Sequence, residues 1–142
     1  MNRVDALQSC LAAEHAALFG YGVLGGVLAG VPAGEPDLER AQSSYAVHRQ
    51  LRDDLTVLIS EAEAEPVAAA AVYDLPFTVR DRLGCRHLAR LLEGRTATVY
   101  GLAIAATVDE DRAFTAAALR GSVLREVSWG ADVVPFPAIP EL

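Results

Sequence analysis

Four polar side chains stand where a helix should be apolar, and they carry what chemistry this chain offers. At alternating spacings of four and three, Glu14 falls inside the run Leu7, Leu11, Glu14, Leu18, Tyr21, Gly25, Leu28. Leu38, Ala41, Tyr45, His48, Arg52, Leu55 and Ile59 form a second run, which places Tyr45, His48 and Arg52 inward. Ala89, Glu93, Thr96, Tyr100, Ala103 and Thr107 form a third, carrying Glu93, and Ala116, Leu119, Val123, Glu126, Gly130 and Val133 a fourth, carrying Glu126. A carboxylate withdrawn from water needs a cation, a metal or several donors. Three inward acids and one imidazole therefore predict a polar cluster of Glu14, Tyr45, His48, Arg52, Glu93, Glu126 and Trp129. Its chemistry is either metal coordination or buried ion pairing.

Helices must position these residues. The chain has 142 residues, of which 52% are hydrophobic and only 6% aromatic, with 26 alanines. Alanine loses no side-chain entropy in a helix, so this composition favours an all-α fold in one domain, residues 1–142. The stripes predict helices over about Val4 to Gly30, Pro36 to Glu65, Val79 to Thr107 and Asp109 to Val134. The breaks are Val31-Pro-Ala-Gly-Glu-Pro36 and Pro66. Residues 134–142, rich in proline, form an extended tail. Between the second and third helices lies Pro66 to Thr78, with Tyr73, Leu75 and Phe77 worth burying. Thirteen extended residues reach about 45 Å, as long as a thirty-residue helix. The linker can therefore return along the whole bundle, a long crossover between helices 2 and 3.

Charge and composition exclude several partners. Twelve arginines, no lysine and 19 acids leave a net charge of −7, which argues against nucleic acid and anionic membranes. Arg82, Arg86 and Arg90 form one basic stripe at helical spacing, read as a solvated face or a partner for nearby carboxylates. Ala16 to Gly34 is uncharged over 19 residues, but acids flank it and six glycines dilute it, so a packed helix is expected and not a membrane span. Gly22, Gly26 and Gly30 sit at a spacing that lets backbones approach, and with the tail they mark a dimer seam. Cys10 and Cys85 lie outside any zinc spacing, and no cleavable signal opens the chain, so a cytoplasmic location is expected. Nucleotide-binding and hydrolase motifs are absent.

The crossover and the inward carboxylates resemble the ferritin-like di-metal bundles, which place a lone Glu on two helices and Glu-x-x-His on the other two. Glu14 and Glu93 match the lone acids. Tyr45-Ala-Val-His48 keeps the His but has Tyr for Glu, and Glu126-Val-Ser-Trp129 keeps the Glu but has Trp for His. The whole chain is similar to an alanine-rich, ferritin-like family of uncharacterised bacterial proteins. The segments that carry this are Ala13-Glu-His-Ala16, Tyr21-Gly22, His48-Arg-Gln-Leu-Arg-Asp53, Tyr73-Asp-Leu-Pro-Phe77 and Trp129. That resemblance implies the fold and a homodimer, and no established activity.

With two ligand positions lost, neither a metal nor any other cofactor is expected, and no catalytic residue. Arg52 is the expected cation for Glu14 and Glu93. The expected role is binding or structural in a homodimer, with any small-molecule ligand unidentified. The rival is an iron- or manganese-binding oxidase or iron-handling protein using Glu14, His48, Glu93 and Glu126.

Overall fold

The computed structural model describes residues 1–134 and contains four helices and, among those residues, no strand. They are α1 (Arg3–Gly30), α2 (Glu35–Glu61), α3 (Arg82–Ala106) and α4 (Asp109–Ser128). The all-helical class follows from the stripes. The expected tail lies, past Val134, outside the described residues.

Local chemistry sets the helix ends. Asn2 and Asp5 form a reciprocal capping box at the start of α1. The turn into α2 needs Gly34, because a Cβ there would come within 2.5 Å of the Leu28 carbonyl oxygen. Three ends differ from the sequence expectation. α2 stops at Glu61, not near Glu65, since Glu63 adopts a left-handed φ of 56°. α3 starts at Arg82, not Val79, because the Asp81 side chain caps the Gly84 N–H at 2.8 Å. α4 ends at Ser128, not Val134. Gly130, at φ 97°, donates to Val127 O and Ala131 donates to Glu126 O, the paired bonds of a Schellman stop.

α1 packs along both α2 and α3, and α3 packs along α4. Residues 62–81 join α2 to α3 and stay against α1: Gln8 bonds the backbone of Glu65 and Val67, His15 contacts Val67 O, and Phe19 meets Tyr73. Val79 is buried in one core cluster with Leu24, Leu28 and Leu88, and Leu75 and Phe77 pack against that cluster.

The interior has two apolar halves. One holds Leu7, Leu11, Leu55, Ile59 and Tyr100, and the other Tyr21, Leu24, Leu28, Leu88 and Trp129. In sequence, Glu14, His48 and Glu93 fall between these two sets on their respective helices. α1 is long and apolar enough to cross a membrane by length and composition, but 44% of its most apolar window is buried in the bundle.

Candidate functional site

Glu14, His48 and Glu93 are each 0% exposed and in direct contact. His48 Nδ1 lies 2.6 Å from Glu14 Oε2, and His48 Nε2 lies 3.1 Å from Glu93 Oε1. An ionised carboxylate only accepts, so both ring nitrogens must donate, and the ring is an imidazolium. Burial works against that charge, but the bonds to Glu14 and Glu93 outweigh it and lift the pKa from its ordinary 6.5 to about 9. Burial likewise pushes Glu93 upward, and His48 and Arg125 overcome this and hold it below the usual carboxylate range.

The remaining donors complete a layer drawn from all four helices. Tyr100 donates its hydroxyl to Glu14 Oε1 at 2.7 Å, and Tyr21 donates to Glu93 Oε1 at 2.6 Å. The Arg125 Nε donates to the same oxygen at 2.9 Å, and the Trp129 indole donates to the Tyr21 oxygen at 2.9 Å. The layer thus holds two carboxylates against one imidazolium and one guanidinium, and its formal charge cancels. Glu93 Oε2 alone finds no partner among the described residues.

Several predicted positions move. Tyr45 is 40% exposed and not inward. Arg52 pairs with its neighbour Asp53 at 2.6 Å at the surface, and does not reach Glu14 or Glu93. The buried stripe of α2 is Asp37, Ala41, Ser44, His48, Leu55 and Ile59. It therefore takes the residue three after Ala41, where the sequence stripe takes the one four after. Both flank the same line at 3.6 residues per turn, so spacing alone leaves the choice open. On α4 the stripe slips by one residue: Thr115, Ala118 and Ser122 are buried, Arg125 turns inward, and Trp129 follows. Glu126 is accordingly half-buried outside the bonded layer, with its Oε1 3.0 Å from where a Cβ on Gly94 would stand. Burial and the nearby charge of Glu93 raise its pKa. On α1, Leu24 is buried in place of Gly25. Trp129, at 2% exposure, is buried as expected.

The sequence stripes miss Arg125 and Asp37. Counting back from Trp129 by four, three, four and three gives Arg125, Ser122, Ala118 and Thr115, so the one tryptophan carried the register of α4.

Chemically, the layer is closed. Burial raises the Tyr21 and Tyr100 hydroxyls, and pushes the Cys10 thiol up to about 12, so none of the three is an ionised nucleophile at neutral pH. A resident metal would need a free imidazole lone pair, and here both His48 nitrogens are committed to carboxylates. No group of three His, Cys, Asp or Glu side chains among the described residues is arranged to hold a metal ion. The donor set does not fit a di-metal centre.

No curated protein matches the chain. Among solved structures it is similar to the crystal structure of a conserved hypothetical protein, rv2844, from Mycobacterium tuberculosis. The two are 32% identical over 89% of this chain and 93% of that one, with a TM-score of 0.80. A protein family described as a domain of unknown function, DUF4439, matches residues 6–141 and so takes in α2, α3, α4 and nearly all of α1. The chain belongs to the DUF4439 family.

Proposed function

We propose that this chain is a ferritin-like bundle whose di-metal position is taken over by a proton on His48 and the guanidinium of Arg125. Its role is then binding or structural, and not catalytic. The observation that carries this is the imidazolium bridge: one ring holds Glu14 with one nitrogen and Glu93 with the other. Two positive charges thereby stand where two metal ions would offset the same carboxylates. The ferritin-like path is supported by the linker contacts, which follow α1 from Gln8 through His15 to Phe19 and suit a long crossover. The homodimer is supported by Gly22, Gly26 and Gly30, at each of which a Cβ would meet nothing within 4 Å, leaving a face of small residues open to a second copy. A cytoplasmic location remains the expectation from sequence.

Metal content tests this reading. Protein purified without chelator, then loaded anaerobically with Fe(II) or Mn(II), is expected to carry far less than one ion per chain, equal to a Glu14→Ala control. One or two ions per chain, lost in that control, would overturn it and restore the oxidase or iron-handling alternative.

A further inference from the structure

A second charged cluster lies away from the buried layer. The Asp37 side chain is 1% exposed, yet it is the meeting point of three guanidiniums. Its Oδ1 accepts from Arg40 at 2.9 Å and Arg86 at 3.1 Å, and its Oδ2 from Arg82 at 2.6 Å and Arg86 at 2.8 Å. Burial alone would raise this carboxyl, but the Arg86 and Arg82 bonds hold it below its ordinary value. One carboxylate cannot neutralise three guanidiniums, and each guanidinium carries five donors. Asp37 therefore fixes the arginine heads in place and leaves most of their donors unused.

Arg90, one turn beyond Arg86, adds a fourth head. Its hydrogen bond among the described residues is to the Trp129 carbonyl at 3.2 Å, with no carboxylate in ion-pair contact. Arg86 and Arg90 open onto a cleft of about 640 Å³ whose other walls include Phe77, His87 and Trp129. The Phe77 and His87 rings stack at 4.8 Å, and both line that cleft as its aromatic wall. Two further acids stand nearby. Asp81 lines the cleft with its carboxylate engaged as the α3 cap, and Glu126 faces Arg90. Of the arginines and acids that line the cleft itself, two are guanidiniums, Arg86 and Arg90, and one is a carboxylate, Asp81, in a chain of net charge −7.

We infer that this cleft binds a small oxyanion, carboxylate or phosphate, carried on a flat apolar body. The Arg86 and Arg90 heads take the anion by charge-assisted hydrogen bonds, and the Phe77–His87 face takes the ring. Preorganisation by Asp37 favours such a ligand, since little side-chain freedom is lost on binding.

Calorimetric titration of the full chain with 2-naphthoate, 2-naphthyl phosphate and neutral 2-naphthamide tests this. One or both anions should bind, and the amide should bind at least about tenfold more weakly, the size expected for a charged hydrogen bond. Whichever anion binds tighter identifies the oxyanion. Arg90→Gln should weaken the anion by about tenfold or more while the helical circular dichroism stays unchanged, because it removes one hydrogen bond, to the Trp129 carbonyl, and no ion pair. His87→Ala should also weaken it, whereas Arg49→Gln, an equal charge change on exposed α2 surface, should not. No anion binding at about 1 mM, an amide that binds as well, or equal effects of Arg90→Gln and Arg49→Gln would overturn the inference.

Discussion

At the residue scale the molecule turns on one proton. His48 has a pKa of about 9 in the fold against an ordinary 6.5, so the native chain keeps a proton that the unfolded chain has lost between those values. The stabilisation is complete below about pH 6.5 and disappears as pH rises through about 9, and it amounts to roughly 3 kcal/mol. Glu93 works in the opposite sense: its lowered pKa stabilises above the ordinary carboxylate range and is lost as pH falls through its folded value. Urea unfolding between pH 6.5 and 8, below the range where the unfolded thiols of Cys10 and Cys85 ionise, should therefore show stability falling with pH in the native sequence. His48→Gln should be less stable throughout and flat over that window. A native sequence with no slope there would show His48 to be neutral. Arg52→Ala, by contrast, should change stability by less than about 0.5 kcal/mol, because both partners of its ion pair face solvent. Arg125 holds the position that the sequence stripe gave to Arg52.

At the element scale, ends and registers were legible to different degrees. The stripe of α3 from Ala89 through Glu93, Thr96, Tyr100 and Ala103 to Thr107 is buried throughout. α4 is short of large apolar residues, and its buried positions are Thr115, Ala118 and Ser122. Small and polar residues on the inner face carry little hydrophobic signal, so the reading settled on the neighbouring Leu119 and Val123. The start of α3 was missed because a branched, buried Val79 looks like a helix residue, whereas the Asp81 cap marks the start. Asp81→Ala should accordingly cost about 1 kcal/mol in thermal unfolding. A cost below about 0.3 kcal/mol would mean that the cap bond contributes little beyond solvent.

At the scale of the whole molecule, closely packed helices leave one face of α1 unused. Around Gly22, Gly26 and Gly30 no atom lies near enough to resist a side chain. If that face meets a twin subunit, Gly26→Leu should convert a dimer to a monomer in analytical ultracentrifugation while the helical circular dichroism stays unchanged. A dimer that survives the substitution would move the seam elsewhere. The polar layer has a consequence on this scale too. Glu14, His48, Glu93 and Arg125 come from four different helices, so sliding any one helix by a turn strands a buried charge, whereas the apolar halves above and below would tolerate repacking.

The amino-acid sequence by itself determined that the chain is helical, that four helices form, and that Glu14, His48 and Glu93 face inward. Those properties depend on periodicity and propensity, which act along a single helix and leave a mark in its spacing. Which cation faces the two carboxylates was decided only by the tertiary structure. Arg52 and Arg125 are equally plausible on paper, and the choice depends on rotations of α2 and α4 by less than one residue spacing, set by how neighbouring helices pack. The gathering of Arg82 and Arg86 from α3 on Asp37 of α2 is likewise a tertiary fact, since only Arg40, three residues on from Asp37, is a local partner.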